Sequence, residues 1–565
     1  MILIFVIIPF IWLWLLKIKL VFREKLLAGN GIFWLLITPI IWSLNKFANY
    51  LVTPKLFWVL VSLITLILII YRTIKIGWRW EIRLPRFKFN WVLLTTLVFF
   101  ILLHFIFYRF YITMPEQDGY TNILRIEKMM KTGVIDNQYR PLFYTGMTIL
   151  GQVTKIDIYQ IHTVWMIVLS VTYLIVISLL IEKNKIKNHW LKILILFSGL
   201  AVPVINMEID FFRPQSLYLL IFPIIFYLEK KNKNYLALLI SLIGMGYHQF
   251  FIFPIIILIL KIFINLNKIK RVLVLIMIIF LGIFFYNKIV LYLPINRIFE
   301  NIGQINKYRW WFLNSYQTYP DNVEMGWPGF SGAAKYYGYY FGPLILAYLG
   351  LIMFKIKKFT NQIYWFLLIG ILLIISEVLP RLNVIYLPER FPLLINITVL
   401  LLIPSLFRHL KINKFLLAVL ILIGILGSVY IAKSKGSLTN KYGLEAADWI
   451  RNNTPSEAII LTQNTNKPMI IYFSKRKFLN PGKIFFEGES FSGYFIDANQ
   501  DNSTISKIDD CKNCYILYSS NKSNSLRSER GYWSEYNYEG IDLDKFNLLY
   551  KKVYEKDGIN IWEIK

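Results

Sequence analysis

The sequence predicts a mainly α-helical polytopic membrane protein with a small C-terminal α/β domain. Three observations carry that expectation. Of the 565 residues, 56% are hydrophobic and 17% aromatic, more apolar surface than a soluble chain of this length needs. Apolar runs long enough to cross a bilayer recur between short polar loops. From about residue 433 the composition turns polar, with short β-like runs.

The runs give about fourteen spans. They lie near 2–17, 31–44, 55–71, 91–108, 158–181, 190–206, 216–228, 235–247, 249–264, 271–287, 338–354, 363–380, 391–407 and 414–432. The first run, Met1 to Leu16, has no basic segment before it and is followed by Lys17, Lys19, Arg23 and Lys25. It reads as a retained helix with its N-terminus outside, not as a cleaved signal.

The net charge of +29 is distributed by loop. Lys and Arg fill "RTIKIGWRWEIRLPRFKF", "EKNKIKNHWLK", "EKKNK", "KIFINLNKIKR", "KIKKF" and "RHLKINK". These all fall on one side of the expected topology, which is therefore the cytoplasm. That alternation argues for a lipid bilayer as partner and against nucleic acid. The long loops 109–157 and 288–337, the turns 207–215 and 381–390, and the tail fall outside. The expected domains are 1–90, three extra N-terminal helices; 91–432, the membrane core; and 433–565, an extracytoplasmic α/β domain.

In the tail, "GLEAADWIRNNTPSEAIILT" reads as an amphipathic helix, a Pro-marked turn and a strand. "MIIYF", "CYILY" and "INIWEI" read as further β-like runs, and Asp557-Gly558 as a hairpin turn. Cys511 and Cys514 are the only cysteines. They fit a local disulfide or two structural thiols; zinc would need two more ligands, and none stands at a sensible spacing.

The candidate chemistry lies at the expected outer surface. "PEQDGYTNILRIEKMM" sets Glu116 and Asp118 just after the fourth span, before an amphipathic helix carrying Ile123, Ile126, Met129 and Met130. A carboxylate there suits a general base, which is worth roughly 10²–10⁴ in rate when it removes a hydroxyl proton. The plainer alternative is a solvated acid, or a cap on that helix. Lys131-Thr132-Gly133 reads as the helix stop. "NQYRPLFYTG" then carries Tyr139, Arg140, Pro141 and Leu142 into the next helix.

This order resembles the first external loop of the GT-C glycosyltransferases. These are membrane enzymes that take sugar from a polyprenyl-phosphate carrier, among them the protein mannosyltransferases and the lipid A aminoarabinose transferase. In that superfamily an acidic motif opens an amphipathic helix, a glycine follows, and then a Tyr-Pro-Pro-Leu-like turn. Here Asp118-Gly119 stands for the acid pair, Gly133 for the glycine and Tyr139-Arg140-Pro141-Leu142 for the turn. Gly119 replaces the usual second acid, with Glu116 as substitute, and Arg140 replaces the first proline. The likeness runs from about residue 90 onward. It implies a core of about eleven helices, an outer-leaflet polyprenyl-phosphate sugar donor, and a lipid, glycan or protein acceptor.

Further candidates follow the same outer edge. "NMEIDFFRP" carries Glu208, Asp210 and Arg213. In the oligosaccharyltransferase branch of GT-C, acids in the first two external loops share a divalent metal. The alternative here, an Asp210–Arg213 ion pair orienting the turn, is the favoured expectation, so no metal or other cofactor is expected. "GYHQFF" puts His248 and Gln249 at a break in an apolar run, either facing a cavity or forming a surface turn. Arg390 in "LPERFPLL" suits a carrier phosphate, because a guanidinium meets two phosphate oxygens at once; Arg381 is second choice. The alternative for Arg390 is a side chain reaching the lipid interface. Trp310, Trp311 and Trp327 fit sugar stacking or an aromatic belt. The functional expectation is thus a glycosyltransferase. The rival expectations are a transporter or flippase of lipid-linked sugars, and a non-catalytic envelope-assembly protein.

Overall fold

The computed structural model describes residues 3–18, 20–76, 91–109, 117–135, 140–210, 212–264, 317–318, 324–325, 337–338, 340–355, 362–377, 391–409, 413–435, 441–461, 467–479, 513–519, 547 and 550–564. Most of these are helical. The chain divides into two compact units. The first holds Met1–His104, Met129–Asp210 and Pro214–Ile431; the second holds Phe105–Lys128, Phe211–Arg213 and Ala432–Lys565.

The first unit is a helical bundle. It begins with α1 (Ile8–Leu15), α2 (Phe22–Ile32), α3 (Thr38–Ala48), α4 (Pro54–Ile76) and most of α5 (Trp91–Arg109). The end of α6 (Gln117–Thr132), α7 (Pro141–Thr154), α8 (Ile158–Lys183), α9 (His189–Phe197) and α10 (Pro203–Asp210) follow. Next come α11 (Leu217–Lys230), α12 (Asn234–Gly244) and α13 (Ile252–Ile264). Last are α14 (Gly342–Lys355), α15 (Ile363–Glu377), α16 (Phe391–His409) and α17 (Lys414–Lys435).

Three stretches among the described residues are long and apolar enough to cross a membrane: Phe22–Ala48, Pro54–Lys75 and Ile158–Lys183. Shorter apolar helices accompany them, and the whole is compatible with a membrane protein. Helix α4 has the pattern lipid contact requires. Its Val59, Leu63, Leu66, Ile67 and Ile74 are exposed, whereas Arg72 is buried and Thr65 accepts a 2.8 Å bond from Trp12 Nε1. Water on that surface would be costly, at about 25 cal/mol per Å² of apolar area.

The second apolar stretch starts earlier than its expected beginning at residue 31. Helix α2 opens at Phe22, and a π-helical turn, Phe33–Ile37, joins it to α3. The charges of the first turn find partners: Arg23 donates to Ser178 Oγ and pairs with Glu182, and Glu24 Oε2 accepts from Val21 N at 3.2 Å. The helix therefore runs on through a segment whose basic residues suggested a loop.

Helices α11, α13 and α16 all run from one end of this bundle to the other. At their C-terminal end the basic loops meet. Lys231 pairs with Glu24 at 3.4 Å, Lys261 pairs with Glu229, and Ser405 Oγ donates to Asn184 Oδ1 at 3.3 Å. At the opposite end Tyr218, Phe250, Phe251 and Phe391 pack ring against ring.

Packing inside the bundle depends on small residues. A Cβ on Gly146 of α7 would stand 2.3 Å from the ring of Trp34, which is fully buried. Trp34 also packs on Trp165 and Tyr247, with centroids 5.0 and 5.9 Å away. The described part of residues 1–90 thus packs within the same unit as the rest of the bundle.

The second unit contains a five-stranded sheet in the order β4-β3-β5-β7-β6. The strands are β3 (Ile459–Leu461), β4 (Lys477–Leu479), β5 (Cys514–Ser519), β6 (Lys551–Lys556) and β7 (Ile559–Ile564). A separate two-residue ribbon in the first unit pairs β1 (Gln317–Thr318) with β2 (Glu324–Met325). β3 runs parallel to β4 and β5; β7 runs antiparallel to β5 and β6. The expected hairpin is present, with Asp557 at φ 48° and Gly558 at φ 73°, both in the left-handed region a two-residue turn demands. The expected helix and strand of "GLEAADWIRNNTPSEAIILT" are α18 (Lys441–Asn453) and β3. "MIIYF" is a correction: it lies in a helix, α19 (Lys467–Ser474), because a five-residue apolar run has no decisive period and Pro468 favours a helix start.

Two measurements check this packing. Gly146→Val should destabilise the detergent-solubilised protein by about 1–3 kcal/mol through overpacking against Trp34, read as a lower melting temperature. In the tail, the Glu445 carboxylate beside Lys556 raises the amino group's proton affinity, and burial raises that of the Tyr515 and Tyr554 hydroxyls. Folded values above unfolded ones mean stability that is complete below about pH 10 and is lost as pH rises further. Near-UV circular dichroism melts should show that loss, and Lys556→Met with Tyr554→Phe should flatten it.

Candidate functional site

The candidate residues divide between the two units, and each unit builds its own arrangement. In the first unit the motif glycine is held firmly. Gly133 adopts φ +69° after the last turn of α6, and its N–H donates to Met129 O at 2.8 Å. A Cβ there would meet Leu51 Cβ at 3.0 Å and Val52 O at 3.2 Å, so both conformation and space favour glycine. Gly133 O accepts from Val52 N at 2.7 Å and from Asn45 Nδ2 at 3.1 Å, while Asn45 Oδ1 accepts from Ile135 N at 3.1 Å. Gln152 Nε2 ties Val52 O and Met130 O to α7, each at 3.0 Å.

Arg140 follows in the left-handed region, φ 63°, as the cap before α7, with Pro141 in its first turn. This turn abuts the His248 turn: Leu142 N donates to Gly246 O at 3.2 Å. A Cβ on Gly246 would reach 2.5 Å from the Leu142 side chain, which is how the two turns come so close. His248 is fully buried, in the turn between α12 and α13. Its Nδ1 accepts from Phe250 N at 3.2 Å, and its ring meets Phe250 edge-on at 4.2 Å. Phe250 in turn lies 5.7 Å from Phe391, the first residue of α16. The next residue back along the chain is Arg390.

Glu208, on α10, is buried in the same unit, and α10 packs on α8 and α16. Further along the chain, at the start of α11, Ser216 Oγ accepts from Trp165 Nε1 at 3.1 Å. The structure therefore gathers the Arg140 turn, the His248 turn and the start of α16 at one end of the bundle.

In the second unit Asp118 sits in the first turn of α6. Its side chain is exposed, whereas Gly119 and Tyr120 beside it are buried. Among the described residues no cation or hydrogen-bond donor holds the Asp118 carboxylate. The helix dipole favours a negative charge at that position. Along the same helix Tyr120 packs against Tyr472 and Phe473 at 5.9 and 5.8 Å, and Glu127 pairs with Lys475 at 3.3 Å. Asn122 Nδ2 donates to Phe212 O at 2.9 Å, next to Arg213, which is half-buried. Cys514 of β5 is disulfide-bonded, in agreement with the local-disulfide alternative.

Glu116, Tyr139, Arg381, Arg390, Cys511, Trp310, Trp311, Trp327 and the side chain of Asp210 lie outside the described residues. So does the expected span 271–287. Among the described residues no group of three or more His, Cys, Asp or Glu side chains could hold a metal ion. Sequence reasoning missed Asn45, Trp34, Trp165 and the α6–α19 contact. Asn45 and Trp34 gave no signal because they sit in an apolar run that reads simply as a span.

No protein-family model matches the chain, and no curated protein matches it.

Asn45→Ala should leave the Ile135 N–H without its partner and remove one of two donors from Gly133 O. The expected loss is about 1–3 kcal/mol in thermal stability, and Asn45→Ser should recover little of it.

Proposed function

We propose that the chain is an integral membrane glycosyltransferase of the GT-C type. It moves a sugar from a polyprenyl-phosphate carrier to an acceptor hydroxyl on the extracytoplasmic side. Asp118 takes the proton from the acceptor as the hydroxyl attacks the anomeric carbon. The carbon–oxygen bond to the carrier phosphate breaks, and the negative charge left on that phosphate is met by Arg390, aided by Arg140. His248, Glu208, Asp210, Tyr139 and Arg213 position the reactants, with Glu116 as the second carboxylate of the motif. Direct displacement inverts the anomeric carbon.

The observation that carries this reading is the state of Asp118. It is an exposed carboxylate without a cation among the described residues, at the head of an amphipathic helix. A general base must be accessible and not spent in a permanent ion pair. Three further features support it. The bundle puts its basic loops at one end and the Arg140 and His248 turns at the other, as a membrane-crossing catalyst with an outward-facing site would. The α6 helix and the tail share one unit through Tyr120, Tyr472, Glu127 and Lys475, which agrees with both lying on the same side of the bilayer. The disulfide at Cys514 agrees with an oxidising, extracytoplasmic tail.

Mass spectrometry of cell-envelope glycans tests the proposal in a strain carrying Asp118→Asn. Loss of one sugar, with the protein still inserted at wild-type level, is expected; in vitro transfer should fall by roughly 10²–10⁴. Unchanged glycans would exclude Asp118 as the base. Accumulation of carrier-linked sugar facing the cytoplasm would assign transport instead.

A further inference from the structure

The end of the bundle opposite the Arg140 turn carries a charge arrangement that the proposed reaction does not use. Glu229 of α11 is buried at 3% exposure, and three donors converge on it. Lys261 Nζ pairs with its Oε1, Lys230 Nζ lies 3.5 Å from Oε2, and Trp365 Nε1 donates to Oε2 at 3.2 Å. Beside this knot Lys231 Nζ lies 3.4 Å from Glu24 Oε1, which also accepts from the Tyr227 hydroxyl at 2.6 Å. Lys183, the last residue of α8, follows Glu182, whose carboxylate pairs with Arg23, the neighbour of Glu24. Among the described residues no carboxylate lies within ion-pair distance of Lys183.

Five cations, Arg23, Lys183, Lys230, Lys231 and Lys261, therefore meet three carboxylates, Glu24, Glu182 and Glu229. Helix C-termini offset part of the excess, each with about half a negative charge. Carbonyls of the last turns of α8 and α11, however, accept from the backbone. Ile186 N donates to Ile181 O and Lys185 N to Glu182 O; Lys233 N donates to Leu228 O and Asn232 N to Glu229 O. Lys185 and Asn232 adopt the left-handed conformation that closes such ends. Backbone N–H groups thus close these helix ends. Lys230 and Lys261 are only 14% and 17% exposed, so they are fixed in place, whereas Lys183 and Lys231 face outward.

We propose that Lys183, Lys230, Lys231 and Lys261 form a binding site for a phosphate-bearing anion. Ammonium groups recognise phosphate as point charges, and a site with two fixed and two outward lysines can close over one phosphate group without breaking the Glu229 knot. The same chemistry is offered by an anionic phospholipid headgroup and by a free phosphate compound.

The test uses the full-length protein, delipidated in neutral detergent. Native mass spectrometry reads retention of phosphatidylglycerol against zwitterionic phosphatidylcholine, and thermal unfolding reads the effect of inorganic phosphate alone. The variant is Lys183→Gln with Lys231→Gln; both side chains are exposed, so the buried pair is untouched. The control is Lys185→Gln with Lys187→Gln, which removes equal charge from the neighbouring loop. The expected result is phosphatidylglycerol bound about twentyfold more weakly by the Lys183/Lys231 variant, with the control close to wild type. Stabilisation by inorganic phosphate that disappears in the same variant, without lipid preference, would assign the site to a soluble phosphate. Equal losses in both double variants, or no loss in either, would overturn the proposal.

Discussion

The cost of taking charge out of water organises this molecule. An ionised side chain in an apolar interior is several kcal/mol less stable unless it is paired, so an apolar bundle must carry its charges at its ends or neutralise them in place. Glu229 is the case in which the rule is most exposed. It is buried, and it is tolerated because Lys261, Lys230 and Trp365 satisfy both carboxylate oxygens. The helices that bring those partners, α11, α13 and α15, are thereby pinned at one end. Glu24 does the same for α2 and α11, and Arg23 for α2 and α8. With that end fixed, the direction of α11, α13 and α16 sets which turns emerge together at the other.

That second end is built by backbone rather than charge. The Arg140 and His248 turns meet through one hydrogen bond, Leu142 N to Gly246 O, and through a glycine whose missing Cβ leaves room for Leu142. Behind them, Trp34, Trp165 and Tyr247 form an aromatic layer that rests on Gly146. A side chain placed on such a layer has little freedom, which is what a residue positioning a reactant requires. Asp118 differs in kind. It stands exposed at a helix start, where the helix dipole favours its charge and, among the described residues, no cation pairs with it.

Much of this was legible in the sequence, for reasons specific to each element. The helix carrying Ile123, Ile126 and Met129 declared itself by its period, and its stop at Gly133 by the residue that a left-handed turn needs. Asp557-Gly558 announced a hairpin for the same reason. The α2 start was misread because Arg23 signals a loop when its partners, Ser178 and Glu182, 155 and 159 residues away, are not visible. "MIIYF" was misread because a run so short carries no period. Asn45 and Trp34 were invisible as site supports because a polar residue or a tryptophan in an apolar run reads as part of a span. His248 was noticed as a polar break, but its burial follows only from its contact with Phe250 and the packing around it.

The proposed topology puts the basic loops in the cytoplasm and the tail outside the cell. Cysteine accessibility measures this directly in a background with Cys511→Ser and Cys514→Ser. Lys187→Cys marks the basic end and Asp557→Cys marks the tail, and a membrane-impermeant maleimide is applied to intact cells. The account predicts labelling at position 557 from outside and at position 187 only after the membrane is permeabilised. Labelling of both positions in intact cells, or of position 187 alone, would contradict it.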